Sequence, residues 1–136
     1  MTIRSLPEAR DHVRAVPPQV VLCQDDDACD MVGRFLADRI YEFNAAATGY
    51  HDGRLIAGVI RNGTGDIIAG FDGHTWGGYC AIAHLWVDVS IRGHGLGSAL
   101  LHAAELEAAS RGCQRITLGT HTFQAPAFYE RRGYRL

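Results

Sequence analysis

Arg92-Gly93-His94-Gly95-Leu96-Gly97 combines a permanent cation with three glycines at alternate positions, a composition suited to holding an anion. It follows the apolar run His84-Leu85-Trp86-Val87-Asp88-Val89 and precedes a helical pattern from Ser98 to Arg111. A strand that enters a glycine-rich turn and then a helix aims unpaired backbone N–H groups, and the positive end of the helix dipole, at one spot. Glycines there let the backbone approach a phosphate with no Cβ in between. Two other phosphate motifs do not fit. A P-loop requires G-x-x-x-x-G-K-[ST], and no lysine follows these glycines; a dinucleotide fingerprint requires G-x-G-x-x-G, and counting from Gly93 the sixth residue is Ser98. The seven histidines include no H-x-x-x-H pair, and Cys23, Cys29, Cys80 and Cys113 include no C-x-x-C pair, so no metal site is expected.

The flanking elements must hold this turn in place. Val20-Val21-Leu22-Cys23 reads as a first strand after Pro17-Pro18, with residues 1–17 a leader. Asp25, Asp26 and Asp27 are suited to cap the next helix, where carboxylates also oppose the dipole. In that helix Val32, Leu36, Ile40 and Phe43 recur on one face, with Asp30, Arg34, Asp38 and Glu42 on the other, up to a stop at Gly49. Three strand-like runs follow, over residues 54–61, 67–76 and 79–89. Their short connections predict an antiparallel meander, with a bulge signalled by Gly70 and Gly73. The spacing of Leu96, Leu100, Ala104 and Ala108 predicts a helix closed by Gly112; Arg115-Ile116-Thr117-Leu118 returns as a parallel strand. A last short helix is predicted from Gln124 to Arg131, ending at Gly133.

A chain of 136 residues is expected to form one domain, residues 1–136, large enough to bury a core. Lys+Arg 13 against Asp+Glu 15 gives a net charge of -2, so no broad basic field invites nucleic acid. No run has the length of a membrane span, and the N-terminus lacks the layout of a signal peptide. With widely spaced cysteines as well, a soluble protein of the reducing cytoplasm is expected.

The turn spells [RQ]-x-x-G-x-[GA] through Arg92, Gly95 and Gly97, and at this point the chain resembles the GNAT family of N-acetyltransferases, small bacterial type. A second stretch, Ala125-x-x-Phe128-Tyr129-Glu130-x-x-Gly133-Tyr134, is similar to that family's A-x-x-[FL]-Y-E-[KR]-x-G-[FY] signature. The order of elements from about residue 18 also agrees. The resemblance implies an α/β (α+β) fold with a mixed, mainly antiparallel sheet flanked by helices. It further implies acetyl-CoA as co-substrate, an amine as acceptor, and direct transfer in a ternary complex.

By the same resemblance, the cofactor is held by Val87, Val89 and the turn residues Arg92, Gly93, His94, Gly95, Leu96, Gly97 and Ser98, with Thr122, Ala125 and Phe128 completing the site. The strand ending at Val87 would splay from the next parallel strand, the pantetheine arm would lie in the gap, and the Val87 N–H would polarise the acetyl oxygen. Tyr129 matches the tyrosine that protonates the departing thiolate. His84 lies near the place where the family often carries a glutamate base, and water relays or Asp88 are alternatives. Trp86, which alternates with His84 and Asp88, is read either as lining the acceptor cleft or as a core aromatic of a central strand.

Two features depart from the pattern. Thr122 stands where an asparagine is common. The strand expected after Gly133 has only its first residues, Tyr134-Arg135-Leu136, a shortened C-terminal end that raises the prospect of a homodimer covering the sheet edge. They also keep open a catalytically impaired acyl-CoA-binding or regulatory domain.

Overall fold

The computed structural model describes residues 20–120 and 124–135. The chain divides into two compact units, Met1–Glu42 and Phe43–Leu136. Helix α1, Asp26–Thr48, begins in the first and ends in the second.

The start of α1 follows its sequence signals. Asp25 Oδ1 accepts from the Ala28 N–H at 2.8 Å, and Asp26 and Asp27 occupy the first turn, where a carboxylate meets the positive dipole end. At the other end the Gly49 N–H donates to the Ala45 carbonyl at 2.8 Å. The apolar stripe of α1 is exposed among the described residues. Val32, Leu36, Ile40 and Phe43 are 43%, 53%, 60% and 71% exposed, and only Ala45 of the helix is buried. Periodicity decides that a helix forms and which stripe is apolar; burial needs a partner surface as well. The first strand expected at Val20–Cys23 is likewise absent: residues 20–24 have no regular structure and are exposed. No described strand pairs with them, and an extended segment without a ladder is not a strand.

The second unit is built on a sheet of four strands in the order β1 (Arg54–Arg61), β2 (Ile67–Trp76), β3 (Tyr79–Val87), β4 (Arg115–Leu118). The first two pairings are antiparallel and β3 with β4 is parallel, as the meander and crossover predict. Helix α2, Leu96–Ser110, lies between β3 and β4 in sequence and supplies Leu100, Ala104 and Ala108 to the core. Ile56, Ala69, Phe71, Cys80 and Ile82 face them from the sheet. Burial pushes the Cys80 thiol up from its ordinary value, consistent with a small packed hydrophobe. Helix α3, Pro126–Glu130, is shorter than expected, and residues 134 and 135 do not form a strand.

A bulge in β3 decides which side chains reach the two sheet faces. The register runs Phe71↔Leu85 and Asp72↔His84, then jumps to Gly73↔Ile82, so Ala83 is the extra residue. Cys80 and Ile82 point to the core, and beyond the bulge Leu85 and Val87 do so instead. Strict alternation from Cys80 would have sent His84 and Trp86 inward; the bulge turns them to the opposite face. Gly73 permits this close pairing, since a Cβ there would fall 2.0 Å from the Ala81 carbonyl oxygen.

Arg111, at the C-terminal end of α2, ties that helix to the far strands. Its Nη1 donates to the Leu55 carbonyl at 2.9 Å and to the buried Thr75 hydroxyl at 3.2 Å, while Nε donates to Glu107 at 2.8 Å. Charge-assisted bonds in such a sheltered place each contribute more than a surface pair. Arg111→Ala is therefore expected to cost about 2 kcal/mol of stability, seen as a lower urea midpoint at unchanged slope.

Candidate active site

The β3–β4 ladder ends at Ile82↔Leu118, but β3 continues to Val87. Its last five residues thus have no β4 neighbour, and a cavity of about 790 Å³ opens beside them. The Asp88 N–H donates to the Ile68 carbonyl on the β2 side at 2.9 Å. Because successive N–H groups on a strand alternate in direction, the Val87 N–H faces the other way, toward the gap. Arg92 Nε donates to the Val87 carbonyl at 3.0 Å, which pins the turn to the end of the strand.

After Val87 the chain makes a 3-10 turn, Val89–Ile91, whose cap is Asp88. The Asp88 carboxylate accepts from the Ser90 N–H at 2.8 Å and from the Ser90 hydroxyl at 2.6 Å, and these bonds hold its pKa below the usual carboxylate range. That occupation as a cap disfavours Asp88 as a proton acceptor.

The turn then enters α2. Gly95, the N-cap residue, has φ +80° and offers no side-chain cap. The first backbone bond of the helix runs from the Ala99 N–H to the Gly95 carbonyl. The N–H groups of Leu96, Gly97 and Ser98 therefore emerge from the helix end, at its positive pole. A Cβ on Gly95 would meet nothing within 4 Å, so the turn has room for a ligand. Gly97 lies beneath the Phe128 ring, where an added Cβ would approach the ring to 3.2 Å.

Helix α3 forms the opposite wall. Tyr129 is held between two rings, Phe128 at 5.0 Å and Tyr134 at 6.0 Å between centroids, both edge-on. Burial raises its phenol above the ordinary value, so the neutral, proton-bearing form persists. Tyr134 donates to Glu105 Oε1 at 2.9 Å and is raised further by burial and by that carboxylate. Above about pH 10 an unfolded chain releases these phenol protons while the folded chain retains them, so stability present below that pH is lost as pH climbs toward the folded values. Melting temperature is expected to fall as pH rises above about 10, and Tyr134→Phe to reduce the fall.

Most sequence-predicted site residues line the one cavity. His84 and Val87 come from β3, Arg92, Gly93, Gly95, Leu96, Gly97 and Ser98 from the turn and α2, and Ala125, Phe128 and Tyr129 from the α3 wall. Trp86, half exposed, lines it too. Two do not. Val89 is exposed on the 3-10 turn, and His94 folds back so that its Nδ1 lies 3.0 Å from the Ile91 carbonyl and 3.1 Å from that of Arg92. Those two carbonyls are the contacts its ring makes in the turn. Thr122 lies outside the described residues.

Two residues of the site were not singled out in the sequence. The guanidinium of Arg132 lies 3.7 Å over the Phe128 ring and donates to the Phe128 carbonyl at 2.8 Å and to the Ser98 hydroxyl. Its position four residues after Phe128 was the available signal. Asp72, across from His84, had no local signal at all, because the pairing depends on the bulge. Among the described residues no group of His, Cys, Asp and Glu could hold a metal ion, and no helix is long and apolar enough to cross a membrane.

A strand end splayed beside an uncapped helix N-terminus, with a ring-bearing short helix opposite, defines an acyltransferase of GNAT type. Residues 20–134 match the Acetyltransferase (GNAT) family, and the chain belongs to it. It is 34% identical over 99 residues to an acetyltransferase of Agrobacterium fabrum, covering 73% of this chain and 72% of that protein. Its similarity to the blasticidin-S acetyltransferase of Streptomyces morookaense is 44% over 73 residues, 53% of this chain and about half (54%) of that protein. In crystal structures, an acetyltransferase from Bacillus cereus has a TM-score of 0.68 at 30% identity, covering 86% of this chain and 83% of that one.

Proposed function

We propose that the chain is an N-acetyltransferase that moves the acetyl group of acetyl-CoA to a primary amine by direct transfer in a ternary complex. The observation that carries this reading is the gap beside β3, where the outward Val87 N–H, the uncapped start of α2 and Tyr129 border one cavity. The residues present fit the co-substrate: the N–H groups of Leu96, Gly97 and Ser98 suit a pyrophosphate, and Arg92 adds positive charge beside them. The gap between β3 and β4 suits an extended pantetheine arm.

In this reading the Val87 N–H stabilises the charge that develops on the acetyl oxygen. His84 takes the proton that the attacking nitrogen must shed, and the new C–N bond forms as the C–S bond breaks. Tyr129 gives its phenol proton to the departing thiolate. We further place the protein in the reducing cytoplasm, a location supported by four cysteines that are all free. Calorimetric titration of the wild-type chain with acetyl-CoA tests the reading directly. Saturable binding followed by acetylation of an amine supports it, and a folded chain that binds no acetyl-CoA overturns it. Blasticidin S, named in the Streptomyces relative, is the first acceptor to try.

A further inference from the structure

We infer that Asp72 is a positioning residue for His84, fixing the imidazole tautomer that leaves Nε2 free to accept a proton from the incoming amine. The inference rests on the acetyltransferase reading above and adds a residue on a different strand to it. Asp72 and His84 are direct cross-strand partners at the last register pair before the bulge. Asp72 Oδ1 and His84 Nδ1 are 2.7 Å apart. A carboxylate only accepts hydrogen bonds, so Nδ1 must be the donor, and a neutral ring then carries its lone pair on Nε2. The second nitrogen of the ring is thereby assigned by the first, as in other carboxylate–histidine pairs that work as a unit.

Three features place this pair at the site rather than on an indifferent surface. His84 lines the cavity that also holds Val87 and Tyr129. The bulge at Ala83 turns His84 away from the core face on which Cys80 and Ile82 lie, and onto the face where Asp72 stands. Both side chains are open, 81% for His84 and 56% for Asp72, so an acceptor can reach the ring. That openness also argues that removing Asp72 leaves the fold intact, since no packed group is lost.

Long-range proton–nitrogen correlation spectra of the histidine rings in the full chain test the inference, with His84→Gln to assign the signal. In the wild type at mildly alkaline pH, His84 is expected as the Nδ1–H tautomer. Asp72→Ala should move it predominantly to Nε2–H, and Asp72→Asn, which keeps an acceptor oxygen, should retain Nδ1–H. Acetyl transfer should fall about 10- to 100-fold in Asp72→Ala with acetyl-CoA affinity within about twofold of wild type, and Asp72→Ala should add nothing to His84→Ala. An Nε2–H ring in the wild type, a ring indifferent to Asp72→Ala, or additive losses in the double variant overturn the inference. Absence of acetyl-CoA binding by the wild type instead overturns the acetyltransferase reading, while the ring spectra still report on the Asp72–His84 contact.

Discussion

Gly95→Glu is expected to abolish saturable acetyl-CoA binding in a calorimetric titration where the wild type saturates. Three effects act in the same direction. Gly95 has φ +80°, a conformation that costs a residue with a side chain about 1–2 kcal/mol. The new side chain occupies the open space in front of the α2 N-terminus. Its carboxylate then competes for the same N–H groups, each anion contact there being worth up to about 2 kcal/mol when partly buried. The strain weakens binding only so far as the free turn relaxes away from φ +80°, while the filled space and the lost anion contact alone amount to about 2 kcal/mol or more, a weakening of roughly thirtyfold or greater. Gly95→Asn separates the contributions, because asparagine tolerates the left-handed region and brings no charge. It should retain most of the affinity. Equal binding by wild type and Gly95→Glu would place the phosphate elsewhere.

The second large effect is expected at Tyr129. Tyr129→Phe removes the phenol but keeps the ring between Phe128 and Tyr134, so acetyl-CoA affinity should hold. A positioned general acid contributes about 10²- to 10⁴-fold, so turnover should drop by roughly a hundredfold or more. The pH profile supplies a second readout. Because burial raises the phenol, any alkaline loss of turnover due to Tyr129 should begin only above about pH 10 in the wild type. Unchanged turnover in Tyr129→Phe would remove this residue from the chemistry and leave the thiolate to solvent.

The sequence by itself determined the turn, the helices and the meander, because those depend on local chemistry. Glycines at 93, 95 and 97, the aspartates before α1 and the 3.6-residue spacing in α2 act within a few residues of one another. The same locality sets Tyr129 within the stretch Ala125-x-x-Phe128-Tyr129-Glu130 that carries the family resemblance. Tertiary structure alone decided the rest. Val20–Cys23 carries strand-forming residues, yet a strand exists only where another strand supplies a ladder, and none of the described residues does so. The apolar stripe of α1 is equally plain in the sequence, but periodicity says nothing of what covers it. His94 sets its ring against the Ile91 and Arg92 carbonyls, a rotamer choice that no spacing encodes. The Asp72–His84 pair shows the reason most directly. One extra residue at Ala83 reverses the facing of every side chain beyond it, and the register that joins residues twelve apart in sequence is set by pairing across the sheet rather than by either strand alone.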